Sequence, residues 1–299
     1  MNGFFNILKP SGMSSAAVVA VMRRLTGEKH TGHAGTLDPE AAGVLPIMTG
    51  KAARLFDYLV DKEKEYEAVI AFGSRTDTQD ATGTVIETGD GYPNLERIRR
   101  EAAGMIGEIR QKPSIYSAIK VGGKPLYARA RKGETPEAPE RTVRIYAIDV
   151  IGTEPDHGAR LRVRCGKGTY IRTLCDDLGK RCGCPAHMRS LVRTRSGVFT
   201  IGDAIPLDEA RRMAEEGTLA RLMLAPDAPL GHIPRADVEE AFRKAVACGA
   251  KIPLRALEGT PPAEGETVRV YLAGEFWGMA ERREDVLAWR ALIAPEAAP

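Results

Sequence analysis

The sequence predicts an α+β fold in which a largely antiparallel mixed sheet is flanked by helices and followed by a small β-rich domain. Strand-like and helix-like segments are interspersed without the regular alternation that a doubly wound parallel sheet requires. Of the 299 residues, 43% are hydrophobic and 28% are charged, so the chain can form a core and is not disordered. Proline and glycine concentrate at residues 225–234, which predicts a linker between two domains.

Cysteine usage and hydropathy restrict the class of protein. Five cysteines are an odd number in a long chain, so reduced thiols are expected rather than a disulfide framework. Cys175, Cys182 and Cys184 lack the paired C-x-x-C spacing of a zinc site, so no metal is expected. No apolar stretch approaches the roughly 18 residues that cross a bilayer, and residues 1–8 do not resemble a secretory signal. We therefore expect a cytoplasmic protein with no membrane association.

The N-terminal part of the chain predicts two helices separated by a loop. Apolar residues recur at helical spacing over 14–25, after a serine that can cap the helix. Residues 28–37 read as a loop that carries two glycines and two histidines. Asp38 followed by proline has the form of a helix start, so a second helix is predicted from Asp38 towards Leu45.

Hydrophobic patterns after residue 65 predict the remaining strands and helices. Strands are predicted at 66–72, 84–87, 143–151 and 160–165, with a hairpin joining the last two. Helices are predicted at 94–106 and 170–182 from their periodicity. Beyond the linker, the small second domain is predicted to contain a helix at 237–247 and strands at 267–272 and 275–280.

The charge of the chain is unevenly distributed. Net charge is +3, but residues 160–197 contain ten lysine or arginine residues and two acids, whereas 201–299 contain 12 basic and 17 acidic residues. A concentrated basic segment suits a polyanion-binding face, because each neutralised phosphate releases counterions. Arg193 and Arg195 are then candidate phosphate contacts. A solvated basic surface explains the same count, and charge alone does not choose between the two.

Two constellations carry candidate chemistry. Residues 32–39 combine two glycines with His33 and Asp38, so that backbone can approach a ligand next to a carboxylate. The simpler explanation is that Asp38 only caps a helix. Residues 165–172 place Arg172 one turn into a helix, where it either holds a carboxylate ionised or contacts phosphate or solvent. Residues 77–83 lack the ligand pattern of a calcium loop, and a turn explains them better.

Several ordered motifs together resemble the TruB family of bacterial tRNA pseudouridine synthases. The motifs are residues 6–15, 33–39, 64–66, 75–78, 113–120, 165–172 and 186–188 leading to Leu191. Their order over residues 3–205 argues against chance agreement, and it overrides the cap-only interpretation of Asp38. Gly166 stands where the family usually has serine and Val192 where arginine often follows the leucine, which affects details of RNA contact only.

The resemblance implies a pseudouridine-synthase fold in residues 1–232 and a small PUA-like RNA-binding domain in residues 235–299. The implied activity is isomerisation of the T-loop uridine at position 55 of tRNA to pseudouridine. The base flips out, the N-glycosidic bond breaks, the uracil turns, and a C-glycosidic bond forms through C5. No cofactor is implied, because nothing is oxidised and the leaving base returns. The expected partner is the T-arm stem-loop of tRNA, bound by a monomer.

The resemblance also assigns the catalytic residues. Asp38 is implied to be the nucleophile, which attacks C1′ of the ribose or C6 of uracil, or removes a sugar proton to give a glycal. Arg172 is implied to pair with Asp38, a contact that sequence spacing does not supply. Tyr66 is implied to stack on the base and to help remove the C5 proton.

Substrate contacts and rival functions complete the expectations. By resemblance, His33 occupies the place that the flipped base vacates, and Tyr66, Tyr170 and Leu191 line the nucleotide pocket. Plain core packing is the simpler role for Leu191. One rival function is a non-catalytic protein that recognises and folds the T-arm, with Asp38 only as a cap. Another is a glycosidase that releases uracil, which needs an organised water and usually two carboxylates.

Overall fold

The structure, a computed structural model, describes residues 1–60, 62–117, 119–130, 132, 134 and 137–294. Its strands up to residue 206 are β1 (Gly3–Lys9), β2 (Thr31–His33), β3 (Ala42–Thr49), β4 (Lys64–Phe72), β5 (Ser74–Thr76), β6 (Val85–Thr88), β7 (Gly107–Gln111), β8 (Lys120–Val121), β9 (Lys124–Pro125), β10 (Arg141–Glu154), β11 (Gly158–Cys165), β12 (Ala186–Ser196), β13 (Phe199–Thr200) and β14 (Ile205–Pro206). The later strands are β15 (Arg235–Val238), β16 (Ile252–Pro253), β17 (Leu257–Glu258), β18 (Thr267–Leu272), β19 (Glu275–Arg283) and β20 (Val286–Leu292). The α-helices are α1 (Ser15–Thr26), α2 (Phe56–Val60), α3 (Leu95–Ala103), α4 (Leu126–Ala130), α5 (Ile171–Arg181), α6 (Leu207–Glu215) and α7 (Arg243–Ala247).

Strands from the first 206 residues form a ten-stranded mixed sheet. Eight strands lie in the order β14-β1-β3-β12-β4-β11-β10-β7, while β2 pairs with β3 and β13 with β12. β1 runs parallel to β14 and β3 runs parallel to β12, whereas the other neighbouring strands of this sheet are antiparallel. The predicted α+β class with a largely antiparallel mixed sheet is confirmed, as is the hairpin of β10 and β11.

Helices pack on this sheet through their apolar faces. Ser14 is the N-cap residue of α1, and its side chain accepts from the Ala17 N–H at 3.1 Å. The C-cap residue is Gly27, whose φ of 69° suits glycine. The buried side of α1 packs with β1, β3 and α6 in one core cluster. α3 and α5 pack against the strands β4, β10, β11 and β12 in another. The helices predicted at 14–25, 94–106 and 170–182 are therefore confirmed.

The helix predicted from Asp38 towards Leu45 is wrong. Residues Ala42–Thr49 form β3, which runs antiparallel to β1 and is buried along nearly its whole length. A strand covered on both faces has a continuous apolar run without two-residue alternation, so its pattern resembles that of a buried helix. Pro46 was the sign against a helix, because proline lacks the N–H that a helix interior needs. Asp38 therefore lies in a loop, and the preceding stretch 28–37 contains the short strand β2.

The C-terminal part forms a second sheet of six strands in the order β16-β20-β19-β18-β15-β17. The β-rich character expected here is confirmed. The helix predicted at 237–247 is wrong over its first half, because Arg235–Val238 is β15, parallel to β18, and α7 covers only Arg243–Ala247. Ala236 and Val238 are buried at alternate positions in the core of this sheet, which is the period of a strand.

The two sheets share a hydrophobic core. Met279 of β19 and Ala291 of β20 pack in one cluster with Phe4 of β1. The Arg54 Nη1 also donates to the Leu292 carbonyl at 2.8 Å. These contacts join the second sheet to the first over the side that carries β1 and β3.

The lengths of the helices and the state of the cysteines bear on two expectations from the sequence, those on membrane association and on disulfides. In the described part of the chain, no helix is long and apolar enough to cross a membrane. The cysteines are free thiols, buried at positions 165, 175, 182 and 184 and exposed at Cys248. The expected absence of a disulfide framework therefore agrees with the structure.

Candidate active site

A cavity of about 220 Å³ brings the motifs at 33–39 and 165–172 together. Its lining residues are Gly35, Thr36, Leu37, Asp38, Val60, Lys64, Tyr66, Gly166, Lys167, Gly168, Thr169, Tyr170, Ile171, Arg172 and Arg193. The volume lies below the roughly 300–1,000 Å³ of pockets for drug-sized ligands, so the cavity has room for one compact group. The structure thus places Asp38, Tyr66, Tyr170 and Arg172 around one space.

Asp38 lines this cavity from a loop whose backbone is fixed on both sides. The Ser15 Oγ donates to the Leu37 carbonyl at 2.8 Å and accepts from the Leu37 N–H at 2.9 Å. On the other side, the Pro39 carbonyl accepts from the Lys9 Nζ at 2.8 Å. Asp38 is therefore held by its neighbours in the absence of a helix at this position.

Lys9 is a buried cation beneath the Asp38 loop. The residue is fully buried, and its Nζ donates to the carbonyls of Pro10, Met13 and Pro39. Burial lowers the pKa of Lys9 to about 8, while nearby carboxylates oppose the shift. The amine therefore keeps its proton at neutral pH, and its hydrogen bonds tie the turn after β1 to the Asp38 loop.

Arg172 lies between two carboxylates beside the cavity. Its Nη2 is 3.3 Å from Asp38 Oδ2, and its Nη1 is 3.5 Å from Asp80 Oδ2. Nη2 also donates to the Tyr116 carbonyl at 3.0 Å, and Arg172 is only 4% exposed. The contact between Arg172 and Asp38 that the family resemblance implied is thus present, although the two residues are 134 positions apart in the chain.

Asp80 is held in place by its own turn. Its Oδ1 accepts from the Thr78 Oγ1 at 2.8 Å, from the Thr82 Oγ1 at 2.6 Å and from the Thr82 N–H at 3.0 Å. Oδ2 is the oxygen that faces Arg172. The turn at 77–83 therefore fixes the second carboxylate that shares the guanidinium.

The electrostatics of Asp38 follow from these neighbours. Burial raises the pKa of Asp38, the positive charge of Arg172 opposes the shift, and the negative charge of Asp80 adds to it. The side chain is 38% exposed where it faces the cavity. Asp38 is therefore a partly buried carboxylate paired with a buried arginine, an arrangement typical of functional acids and nucleophiles.

Two tyrosines line the same cavity. Tyr170 is the N-cap residue of α5, and Gln111 clamps its backbone by donating to its carbonyl at 3.2 Å and accepting from its N–H at 3.0 Å. The guanidinium groups of Arg172 and Arg141 lie 5.8 Å and 5.7 Å from the centre of the Tyr170 ring. Tyr66 contributes from β4. Burial raises the pKa of both tyrosines, so both are neutral phenols at neutral pH.

Arg193 corrects the interpretation of the basic segment. It is 1% exposed, and its guanidinium donates to the carbonyls of Val44 at 2.7 Å, Gly35 at 3.0 Å and Thr36 at 3.4 Å. The prediction that Arg193 contacts RNA phosphate is therefore wrong. The alternation of β12 places Arg193 on the same buried face as Leu191, where its charge supports the loop before β3.

Other basic residues of 160–197 are paired with carboxylates, which lie outside this segment except for Asp176. The pairs are Arg160–Glu154, Arg162–Glu67, Arg164–Glu63, Arg195–Glu63 and Lys180–Asp176. β4 brings glutamates next to β11 and β12, so much of the positive charge counted along the chain is neutralised across the sheet. The charge count therefore overstated the free basic surface.

The remaining expected residues, His33 and Leu191, do not line this cavity in the described part of the chain. His33 pairs with Ile47 of β3 at the end of β2, and burial with the charge of Arg193 lowers its pKa, so the ring is neutral. Leu191 packs in the core cluster that also contains Tyr66. Their contacts with substrate stay predictions.

Four residues at the site have a supporting role that was missed in the sequence analysis. They are Lys9, Asp80, Gln111 and Arg193. The alternation of β12 was a usable signal for Arg193, because it places the arginine at a buried position. Asp80 and Gln111 gave no such signal, because their partners lie 92 and 59 positions away in the chain.

Comparison with known proteins decides the family. A protein of Alkaliphilus oremlandii (strain OhILAs) called tRNA pseudouridine synthase B is 42% identical over 287 residues, which cover 95% of each chain. This chain belongs to the TruB family. Its match to the model of the TruB family pseudouridylate synthase N-terminal domain covers residues 23–171. A second relative of the same name, from Pelotomaculum thermopropionicum, is 44% identical over 84% of this chain and 81% of its own.

Solved structures share the fold of this TruB chain. A chain in the structure of an H/ACA RNP bound to a substrate RNA containing 2′-deoxyuridine has a TM-score of 0.74 at 23% identity, over 98% of this chain and 85% of that one. A chain in a Cbf5-Nop10-Gar1 complex has a TM-score of 0.71 at 26% identity, over 98% and 84%. The expected pseudouridine-synthase fold is confirmed.

The C-terminal model of the TruB family bears on the domain limits. The model of the tRNA pseudouridylate synthase B C-terminal domain matches residues 172–230. In this TruB chain that range contains most of α5, which packs on the large sheet, and β12, which belongs to that sheet. The match therefore does not describe the six-stranded sheet. The domain limits 1–232 and 235–299 and the PUA-like character of the second domain stay predictions.

Proposed function

We propose that this chain isomerises the T-loop uridine at position 55 of tRNA to pseudouridine. The observation that carries the proposal is the pairing of Asp38 with the buried Arg172 in a cavity that has room for one compact group. A nucleotide enters such a cavity only after its base has left the stack, which is easier in a loop than in a duplex. The names of the TruB relatives support the reaction and the substrate.

Asp38 is the proposed nucleophile. Its carboxylate faces the cavity and is paired with Arg172 at 3.3 Å, which favours the ionised form that burial opposes. Attack at C1′, attack at C6 and removal of a sugar proton are three routes to cleavage of the N-glycosidic bond. In each route the uracil turns and C1′ bonds to C5, the bond to Asp38 breaks or the removed proton returns to the sugar, the C5 proton leaves, and N1 gains a proton. The atoms therefore balance without a cofactor.

The proposed substrate contacts are Tyr66, Tyr170, Leu191 and His33. Because burial raises the pKa of Tyr66, this residue meets the uracil as a neutral phenol, which favours stacking on the base over proton removal. Tyr170 supplies a second ring in the cavity. His33 is proposed to fill the place of the flipped base, for which a neutral imidazole with a lowered pKa is suited.

The proposed partner is the T-arm stem-loop of tRNA, bound by a monomer in the cytoplasm. We propose no cofactor and no metal for the reaction. The six-stranded sheet is proposed to be a PUA-like RNA-binding domain over residues 235–299. The core that Met279 and Ala291 share with Phe4 supports a fixed arrangement of the two domains, so that one RNA can contact both.

Incubation with a T-arm stem-loop RNA, followed by nucleoside analysis, tests the proposed function. We expect pseudouridine at the position that corresponds to 55, and no release of free uracil. A stem-loop with cytidine at that position is the matched control. Uridine that stays unchanged after prolonged incubation would contradict the proposal.

The same experiment separates the rival functions. A glycosidase would release free uracil, but the second carboxylate described at the site, Asp80, is bound to Arg172 and its own turn, so Asp38 and Asp80 are not a free pair that could organise a water. A non-catalytic tRNA-binding protein would bind the stem-loop and leave its nucleosides unchanged. The pairing of Asp38 with a buried arginine favours the isomerase over both.

The direction of the pH dependence follows from the pKa of Asp38. Burial raises this pKa above its ordinary value of 3.8, so activity that needs the carboxylate is lost, as pH falls, earlier than for a solvated aspartate. In Arg172→Met the opposing positive charge is gone, so we expect the acid limb of kcat/KM to move to higher pH. Arg189→Met is the control, because Arg189 donates to the carbonyls of Pro155 and Asp156. An acid limb that stays in place in Arg172→Met would contradict this role of Arg172.

A further inference from the structure

Arg141 is a positive charge beside the cavity that has no carboxylate partner among the residues that the structure describes. It is the first residue of β10, and its guanidinium lies over the Tyr170 ring at 5.7 Å. Its Nε is buried and has no hydrogen-bond partner in the described part of the chain. Arg172, on the same ring, is balanced by Asp38 and Asp80. Arg141 is therefore a cation near Tyr170 that is available to a ligand.

The position of Arg141 is fixed by the elements that build the cavity. Arg141 pairs with Gln111 between β10 and β7, and the Gln111 side chain clamps the backbone of Tyr170. A Cβ placed on Gly168 would lie 3.7 Å from the Arg141 Nη1, and Gly168 lines the cavity. The guanidinium is thus at the cavity rim, on the side formed by the loop that leads into α5.

The adjacent backbone also favours an anion at this rim. α5 is an eleven-residue helix that begins at the cavity, its N-cap residue Tyr170 makes no side-chain cap, and its first turn holds no acidic residue. The N–H groups and dipole at such a helix start favour negative charge. Gly166 and Gly168 of the loop before this helix carry no side chain, and Lys167 and Thr169 of the same loop also line the cavity. The helix start and the guanidinium of Arg141, which approaches Gly168, therefore lie on the same side of the cavity.

We propose that Arg141 binds a phosphodiester group of the RNA next to the flipped nucleotide and so positions that nucleotide in the cavity. The inference rests on the proposed function, because the ligand is the RNA on which the Asp38 site acts. RNA carries no anions other than its phosphates, and the planar guanidinium donates two parallel N–H groups that match phosphate oxygens. Arg141 is thus assigned to substrate binding, with the Tyr170 ring as its support.

The test combines Arg141 variants with RNA in which single phosphates are neutral. T-arm stem-loops carry one methylphosphonate linkage at a time on either side of the target uridine, and dissociation constants are measured for the wild-type chain, Arg141→Met and Arg141→Lys. For the wild-type chain we expect one neutral linkage to weaken binding by about 10- to 100-fold. Arg141→Met should weaken binding of unmodified RNA by a similar factor, and the neutral linkage should then cost little more. Arg141→Lys keeps the charge without the planar fork, so its affinity for unmodified RNA should lie between those of the wild-type chain and Arg141→Met.

Arg144→Met is the matched control for this test. It makes the same change three positions further along β10, at an exposed arginine that lies 3.6 Å from Glu108. For Arg144→Met we expect the neutral linkage to weaken RNA binding by the same factor as it does for the wild-type chain. If Arg141→Met suffers that same loss, Arg141 does not contact the phosphate and the inference is overturned. Melting curves identify a variant that does not fold, and Arg141→Lys then provides the same comparison.

Pseudouridine formation by the wild-type chain, measured on the same RNAs, separates this inference from the proposed function. Product formation with no coupling between Arg141 and a linkage overturns the phosphate inference alone. Coupling without product contradicts the proposed isomerase and supports the phosphate contact. A wild-type chain that does not bind the stem-loop overturns both.

Discussion

Asp38→Asn is expected to lower pseudouridine formation by about 10⁴-fold or more and to leave affinity for the T-arm stem-loop nearly unchanged. Asparagine has the shape of aspartate and still accepts a hydrogen bond from Arg172, so the loop and the cavity should persist. The amide is uncharged and a poor nucleophile, so bond cleavage should fail by any of the three routes. Single-turnover nucleoside analysis and a dissociation constant for the same RNA measure the two effects separately.

Asp80→Asn is the contrasting variant for this prediction. Asp80 contacts the same guanidinium as Asp38, so the change tests whether any carboxylate near Arg172 has the same importance. We expect Asp80→Asn to retain most activity. Because the charge of Asp80 raises the pKa of Asp38, its loss should lower that pKa and extend activity to more acidic pH.

Two outcomes would contradict the assignment of Asp38. Measurable turnover by Asp38→Asn, with the asparagine verified by mass spectrometry of the purified chain, would falsify the nucleophile. An equal loss in both aspartate variants would reassign the effect to the shared guanidinium. The non-catalytic rival predicts that Asp38→Asn is silent in every assay, so one variant distinguishes the two functions.

The parts of the fold that depend on neighbours in the chain were predictable from sequence. Ser14 and Asn94 cap α1 and α3 at the predicted starts of these helices, because a cap and its helix lie within a few residues of each other. β3 was predicted wrongly, because its identity depends on β1 and β12, which pair with its two edges, and on the two core clusters that bury its faces. A run of apolar residues that is buried on both faces carries no period, so its pattern does not distinguish strand from helix.

The candidate site shows the same limit. The motif at 33–39 identified Asp38, but only the family resemblance paired it with Arg172, since the two lie 134 positions apart. The charge count over 160–197 suggested a basic face, yet Glu63 and Glu67 of the neighbouring segment neutralise arginines there. A count of charged residues along the sequence does not show which of them form ion pairs between neighbouring strands. It therefore does not predict which cations are free.

Arg193→Met is expected to destabilise the protein by about 3–5 kcal/mol, because buried carbonyls that lose their donor cost about 1–3 kcal/mol each and such costs are not fully additive. The carbonyls of Gly35, Thr36 and Val44 would lose the guanidinium that now bonds them at 3.0, 3.4 and 2.7 Å. A shift of the urea midpoint at constant slope measures the loss. Activity per folded molecule should fall as well, because Gly35 and Thr36 lead into Asp38.

Arg195→Met tests whether this effect belongs to burial or to any arginine of β12. Arg195 lies two positions further along the same strand, its side chain is 32% exposed, and it pairs with Glu63. A partly exposed pair of this kind contributes at most about 1 kcal/mol, so the control should unfold near the wild-type midpoint. Equal urea midpoints for the two variants would mean that the hydrogen bonds from Arg193 to the carbonyls of the Asp38 loop do not stabilise the fold. A large shift in Arg193→Met alone would mean that a cation buried behind the cavity fixes the loop that presents the carboxylate.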